Sequence, residues 1–128
     1  MRRAAATLAV LVATAAAAEA GRLRSGEHGA FTRLVFDAPR PLAWSTRRDG
    51  RTLAVAFTGA VPPVDLSGAF RKIKRDRVAA LAWADGTLTI GLGCDCEARI
   101  AHEPGGALII DVAAEAFGPP EGEGGAIP

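Results

Sequence analysis

Two cysteines separated by one residue are the sharpest chemical feature of this sequence, Cys94-Asp95-Cys96. In a flat strand, residues two apart have Cα atoms roughly 6.5–7 Å apart, which is at or beyond the usual limit for a disulfide. A bridge here therefore needs a bend, which Gly91 and Gly93 make easier. Three interpretations stay open: a structural disulfide at a strand end, two free thiols on a buried face, or a redox or soft-metal site.

The metal interpretation needs further ligands, and His28 and His102 are the only imidazoles in the chain. His102 shares strand parity with the two cysteines if the alternation continues between them. Two thiolates and one imidazole could hold copper or zinc. The spacing matches no zinc signature, so we assign no metal ligand and expect no cofactor.

The second chemical feature is one dense charge cluster, residues 71–77, with the sequence Arg-Lys-Ile-Lys-Arg-Asp-Arg. Its cations could bind an anionic polymer or surface, because arginine forks onto carboxylates and phosphates. The structural alternative is a solvated loop beside an edge strand, where Lys and Arg discourage pairing between sheet edges. If the segment is extended, Ile73 anchors one face and leaves Lys72 and Lys74 most exposed. The candidate binding residues are Arg71, Lys72, Lys74, Arg75 and Arg77.

Catalytic groupings do not stand out in the chain. Nothing in the sequence brings carboxylates such as Asp37 and Asp111 together for acid–base work, and the serines lack a nucleophile-elbow context. We interpret Trp44 and Trp83 as core anchors rather than as sugar-stacking platforms. We therefore expect a protein that is not an enzyme.

The elements that must position these residues are predicted to be short strands. Apolar and polar residues alternate over Phe31–Asp37, Arg51–Thr58 and Thr87–Cys96, as in half-buried strands. Asp49-Gly50 and Asp85-Gly86 are strong hairpin signals. Further strand candidates carry Leu42, Trp44 and Thr46; Ala79, Leu81 and Trp83; Glu97 to Glu103; and Leu108, Ile110 and Val112.

Two details refine this pattern. Ile109 is apolar on the opposite face of the last strand, which predicts a central position in its sheet. A single helical turn with Asp65 as its cap is predicted for residues 65–70. The regular spacing of short strands predicts an all-β fold, a two-sheet β-sandwich of antiparallel strands.

The two halves of the chain resemble each other at an offset of about 55 residues. Residues 34–36 match residues 88–90, and the turn at residues 49–50 matches the turn at residues 105–106. The alternating apolar residues of 53–57 match those of 108–112. This pattern predicts two similar sheets and a possible internal duplication, although alternating hairpins of unrelated origin also align in this way.

The first twenty residues have the pattern of a signal peptide: Arg2 and Arg3, an apolar run, and Ala18-Glu19-Ala20 as a small-x-small cleavage site. The run is too weakly apolar for a stable membrane anchor. We expect residues 1–20 to be removed, the protein to be periplasmic or otherwise exported, and no membrane span to remain after cleavage.

The remainder is predicted to be one domain, residues 21–117, followed by a disordered Pro/Gly/Glu tail at residues 118–128. The full chain has 15 Lys and Arg against 14 Asp and Glu. Removing Arg2, Arg3 and Glu19 with the signal peptide leaves the two signs in balance. Because proteins that bind nucleic acid are usually strongly basic, we expect no nucleic-acid partner.

Residues 32–37 (Thr-Arg-Leu-Val-Phe-Asp), a Pro-containing break and residues 51–57 (Arg-Thr-Leu-Ala-Val-Ala-Phe) resemble the repeat of the AMIN domain. That domain is the amidase N-terminal module of exported bacterial cell-wall proteins. A second copy of the repeat would run from Thr87 to Val112. The resemblance implies a β-sandwich of two similar sheets, no catalysis, and targeting to the cell envelope, commonly through peptidoglycan.

The sequence therefore predicts a non-catalytic module that binds or localises to the envelope. Its partner would be peptidoglycan or another anionic envelope polymer, or an envelope protein. The segment Gly91–Cys96 departs from the family pattern, which has a carboxylate and a Pro-rich break there. The alternative is a small periplasmic redox or metal-handling protein that uses Cys94 and Cys96.

Overall fold

The computed structural model describes residues 21–37, 42–59, 61, 63–104 and 106–117, and in this part of the chain the protein is all-β. One 3₁₀ turn, Ala69–Arg71, interrupts the strands there. The strands are β1 (Gly21–Glu27), β2 (Thr32–Asp37), β3 (Trp44–Asp49), β4 (Thr52–Phe57), β5 (Val64–Asp65), β6 (Val78–Ala84), β7 (Thr87–Leu92), β8 (Glu97–His102) and β9 (Leu108–Ala113). The predicted signal peptide, tail and proline break lie outside the described residues.

The strands form two sheets that enclose one core, which confirms the predicted β-sandwich. One sheet has the order β5-β1-β2-β9-β8, and the other has the order β3-β4-β7-β6. All pairings are antiparallel except that of β5 with β1. β9 is central, between β2 and β8, as the apolar Ile109 predicted.

Strand alternation produces this core directly. In β2, Thr32, Leu34 and Phe36 point inward and are buried, while Arg33 and Val35 between them are half-buried on the outer face. The same period of two recurs in β4 and β7. Because successive strand residues face opposite sides, the pattern fixes which side of each sheet meets the core.

Two tight turns make hairpins where the sequence placed them. Asp85 and Gly86 both have positive φ, 49° and 76°, as a two-residue type I′ turn requires. In the β3–β4 hairpin, Asp49 still pairs with Thr52. Gly50, with φ of 60°, therefore begins the turn, because glycine adopts that conformation without a Cβ clash.

The two halves of the chain contribute to both sheets. When residues 34–36 are aligned with 88–90, the equivalent strands of the two halves are β1 and β6, β2 and β7, β3 and β8, and β4 and β9. The order β1-β2-β9-β8 then becomes β6-β7-β4-β3, which is the second sheet read from its other edge. The two sheets are therefore alike, and each combines one hairpin from each half.

Strand register follows the same correspondence. Leu34 of β2 lies opposite Ile110 of β9, and its counterpart Leu88 of β7 lies opposite Val55 of β4. All four side chains are fully buried. The internal similarity seen in the sequence is thus also a similarity of pairing in space.

Four elements differ from the sequence prediction. β1 was not predicted, because Leu23 is its one large apolar side chain, and β5 is only two residues long. The strand predicted over Thr87–Cys96 ends at Leu92, since the chain bends through Gly93. The helical turn falls at Ala69–Arg71 with Gly68 before it and no side-chain cap, so the predicted capping by Asp65 is wrong.

Candidate functional site

The basic segment, residues 71–77, connects β5 at the edge of one sheet to β6 at the edge of the other. It is not extended: it leaves the 3₁₀ turn and passes through a series of bends. Ile73 is 8% exposed and joins the core, whereas Lys72 and Lys74 are exposed. Ile73 therefore anchors the segment, as expected, because its side chain is part of the buried hydrophobic cluster.

Arg77 lies at the inner end of the segment and is held by the fold. Its guanidinium donates to Glu27 Oε1 at 3.3 Å and to the backbone oxygen of Gly29 at 2.7 Å. The side chains of Arg77 and Glu27 are 18% and 28% exposed. The backbone N–H of Lys74 donates to the other oxygen of Glu27 at 2.9 Å. Glu27 thus ties the segment to the end of β1.

Arg75 has two contacts of its own. Its guanidinium carbon lies 3.7 Å from the centroid of the Phe70 ring, a cation–π geometry. Its Nη1 donates to the backbone oxygen of Ala79 at 2.8 Å. Arg75 therefore lies against the first residues of β6.

The outer end of the segment, by contrast, borders an open pocket of about 360 Å³. Arg71 and Lys72 line it from the connection, and Arg22 and Arg24 line it from β1. Ser25 fixes one wall, because its hydroxyl donates to the backbone oxygen of Ala69 next to the turn. We call the group Arg22, Arg71 and Lys72 the basic pocket.

Arg24 contributes little free charge to this pocket. Its guanidinium makes two hydrogen bonds to Asp37 on β2, of which the second is 3.1 Å long. The hydrogen bond and charge of Asp37 raise the pKa of Arg24 above its ordinary value. The pair is an exposed ion pair at the edge of the pocket.

Asp65 is the acidic group of the pocket. Hydrogen bonds with Ser67, including a backbone N–H that donates to Asp65 Oδ1 at 2.9 Å, lower the pKa of its carboxyl, and the charges of Arg22 and Arg71 add to the effect. The carboxylate is therefore negative at neutral pH, and it offsets one of the three positive charges of the basic pocket.

The charge run in the sequence predicts Arg71 and Lys72 as binding residues but does not indicate Arg22. Arg22 is 49 positions before Arg71 in the chain, and the pairing of β5 with β1 brings the two regions together. The signal that could have found it is the Arg-Leu-Arg alternation of residues 22–24, with one buried leucine between exposed arginines.

A second charged group lies on the outer face of the five-stranded sheet. Arg33 Nε and Nη2 donate to the two oxygens of Asp111 at 2.8 and 2.9 Å, and Arg99 Nη2 lies 3.9 Å from Asp111 Oδ2. The Asp111 hydrogen bond raises the pKa of Arg33. The three side chains form a row across β2, β9 and β8, in which the two guanidinium groups share the one carboxylate of Asp111.

The Cys94–Cys96 pair lies in the bend between β7 and β8. The two residues form a disulfide with Cα atoms 4.9 Å apart, closer than in a flat strand. Cys96 is buried and Cys94 is half-buried. Of the three interpretations left open by the sequence, the structure supports the bridged pair, formed across a bend as that interpretation required.

The histidines do not join the cysteines. His102 lies at the far end of β8, where Trp44 Nε1 donates to its Nε2 and the two rings stack with centroids 6.0 Å apart. His28 stacks on Phe31. Among the described residues, no three His, Cys, Asp or Glu side chains cluster as a metal site would require.

The aromatic core positions the two tryptophans as predicted. Trp83 lies 5.9 Å, centroid to centroid, from both Phe36 and Phe57, and Trp44 also packs against the buried cluster. No helical element of the described residues has the length and hydropathy needed to cross a bilayer.

Comparison with known proteins adds no relative. A scan against protein-family models and searches of curated proteins and of solved structures found no match to this chain.

Proposed function

We propose that this protein is a non-catalytic module of the cell envelope that binds an anionic wall polymer, peptidoglycan first among them, through the basic pocket. The pattern of residues 1–20 supplies the compartment, and the AMIN-like pattern supplies the class of ligand. The observation that carries the proposal is the convergence of Arg22, Arg71 and Lys72 around one open pocket.

Charge and geometry favour a carboxylate ligand. Arginine presents two parallel N–H donors that match a carboxylate, and lysine adds a mobile point charge. Peptidoglycan stem peptides carry such carboxylates. The pocket is open to solvent, so an extended polymer can reach it without any change in the fold.

The five predicted binding residues have different roles in this proposal. Arg71 and Lys72 contact the ligand, and Lys74 is an exposed positive charge two residues further along the segment that does not line the pocket. Arg75 and Arg77 hold the segment in place through Ala79, Glu27 and Gly29. Substituting either of these two would alter the fold as well as the charge, so they are poor probes of binding.

The test is co-sedimentation with purified sacculi at low and moderate salt, using protein expressed from residue 1 so that the host carries out any processing. We expect binding that weakens with salt, because the ligand contact is ionic. The variant Arg71→Glu/Lys72→Glu reverses two charges of the pocket and should bind at least about tenfold more weakly, a loss of ~1.4 kcal/mol.

The matched control is Arg47→Glu/Arg48→Glu on β3, which reverses two exposed charges on the other sheet. It has the same net charge as the pocket variant and should bind like the original protein. Equal loss in both variants would mean non-specific attraction to the wall. No binding by the unmodified protein would overturn the proposal.

The second candidate function is thiol chemistry at Cys94 and Cys96, favoured by one observation. The pair is bridged in a bend and Cys94 is partly accessible. A redox role predicts that mild reductant opens the bridge, seen as a two-dalton mass increase, without unfolding the domain. Metal-handling predicts metal in the purified protein. If the disulfide is reduced only after the protein is denatured, the hypothesis of a redox role is wrong.

A further inference from the structure

The outer edge of β6 differs from the other edges of the sandwich. β1, its counterpart, pairs with β5 at its first two residues, Gly21 and Arg22, and carries two exposed arginines. The edge strands β3 and β8 each carry charged residues, as natural edge strands commonly do. β6 has the sequence Val-Ala-Ala-Leu-Ala-Trp-Ala, with no charge and no proline, and among the described residues no strand pairs with its outer edge.

The hydrogen-bond pattern shows which groups of β6 face outward. Leu92 N donates to Arg51 O, and Phe57 N donates to Gly86 O, so even-numbered residues of β7 bond towards β4. Odd-numbered residues of β7 therefore bond to β6, opposite its even-numbered alanines. The N–H and C=O groups of Leu81 and Trp83 consequently point away from the sheet.

Arg75 contacts the outer edge of β6 at its beginning only. Its guanidinium bonds to the outward oxygen of Ala79. A carbonyl oxygen can accept a second hydrogen bond, so this contact does not prevent pairing there. Within the described part of the chain, the outward N–H and C=O groups of Leu81 and Trp83 have no backbone partner, so a strand of matching length could bond to them.

We propose that the outer edge of β6 pairs with β6 of a second copy, antiparallel about Leu81, and joins two four-stranded sheets into one. The alternating apolar strand is its own complement, since Leu81 faces Leu81 and Ala79 faces Trp83, and no like charges face each other within the strand. The same two-fold axis brings the basic residues before β6, Arg75 among them, towards Asp85 of the second copy. This charge complementarity at both ends selects the second copy over an unrelated strand.

The experiment is sedimentation velocity on the protein expressed from residue 1, from low micromolar to near millimolar concentration. We expect a reversible monomer–dimer equilibrium. The variant Ala80→Arg/Ala82→Arg gives β6 the side chains that Arg22 and Arg24 already present at the equivalent positions of β1. The fold accepts that pattern in β1, and in the dimer it sets arginine opposite arginine, so dimerisation should weaken at least about tenfold.

Two further variants keep the result interpretable. Ala54→Arg/Ala56→Arg adds the same charges to the same outer face on central β4, and its dimer should be unchanged. Mixing Ala80→Arg/Ala82→Arg with Ala80→Glu/Ala82→Glu places opposite charges across the axis and should restore a heterodimer. A protein that stays monomeric throughout, or a dimer indifferent to the arginines on β6, would overturn the proposal. If the protein stays monomeric, any partner of the β6 edge must be a strand other than β6 of a second copy.

Discussion

The inner faces of the two sheets are alike, whereas their outer faces are different. Leu34 and Leu88, equivalent in register, are both fully buried. On the outside, the row Arg33–Asp111–Arg99 of one sheet corresponds to the row Thr87–Ala56–Ser45 of the other. In the first row Asp111 is hydrogen-bonded to Arg33 and lies 3.9 Å from Arg99. The second row consists of small uncharged side chains, which line a depression together with Arg47.

This contrast separates what makes the fold from what distinguishes its surfaces. The core requires large apolar residues at equivalent positions, because both sheets must fill the same space between them. The outer positions do not fill that space, so their residue types can differ between the sheets, and a substitution there costs little except where a buried charge such as Asp111 would lose or leave a partner. One sheet has a charged row on its outer face and contributes to the basic pocket, and the corresponding row of the other sheet has only small uncharged residues.

The largest expected effect tests the equivalence of the inner faces. Leu34→Ala and Leu88→Ala each remove a fully buried side chain and should each lower the free energy of unfolding by about 3 kcal/mol. Urea denaturation measures both. Because the two sites occupy equivalent positions in the strand register and are both fully buried, the losses should agree within about 1 kcal/mol. A larger difference between the two losses would show that the inner faces of the two sheets are not equivalent.

The next effect tests the outer rows. Asp111→Ala introduces the residue found at the equivalent position, Ala56, but leaves Arg33 without its bidentate partner. Asp111 is 5% exposed and Arg33 is 34% exposed, so we expect a loss of about 2 kcal/mol, below that of a fully buried pair.

The double variant Arg33→Thr/Asp111→Ala copies the row of the other sheet at both positions. It removes the unpaired charge, so it should recover about half of the loss. Thermal or urea unfolding of the two single variants and the double variant completes the cycle. Additive losses would show that the arginine and the aspartate contribute independently.

A smaller effect is expected at the exposed pair of Arg24 and Asp37. Their side chains are 56% and 38% exposed, and exposed ion pairs contribute little. Arg24→Ala should therefore cost no more than about 0.5 kcal/mol, and less at high salt. A loss as large as that of Asp111→Ala would mean that exposure does not rank the charged contacts of this face.

The smallest effect concerns β5, the strand that only one sheet has among the described residues. If the basic pocket binds wall carboxylates, Asp65→Asn removes a competing negative charge and should tighten binding to sacculi by about twofold. Hydrogen bonds from Ser67 lower the pKa of Asp65, so its charge persists as the pH falls. The difference should therefore hold from about pH 7 to pH 5, and weaker binding by the variant would contradict the model.

Much of the fold could be predicted from local pattern. Alternation located most of the strands, and the two Asp-Gly signals located the tight hairpins. β1 escaped because its one large apolar side chain, Leu23, gives too weak a period. β5 escaped because two residues carry no pattern and its pairing with Gly21 and Arg22 is set by tertiary contacts.

The candidate site was only partly predictable. The charge run identified Arg71 and Lys72, but local sequence could not say that Arg77 turns inward to Glu27 or that Arg75 lies on Phe70. Those roles depend on where β1 and β6 pass. Arg22 joins the basic pocket only through strand pairing, which a charge count along the chain does not show.

The division of each sheet between the two halves of the chain has a consequence for how the protein acquires its structure. β9 is among the last described segments, yet it is an interior strand of its sheet, where it pairs with both β2 and β8. Each sheet contains strands from both halves of the chain. On one side, β2 pairs with β9, whose residues are more than seventy positions away. Pairing between segments so distant in the chain is slow to form. We therefore expect a nascent chain to have no stable partly folded state before the β8–β9 hairpin has formed.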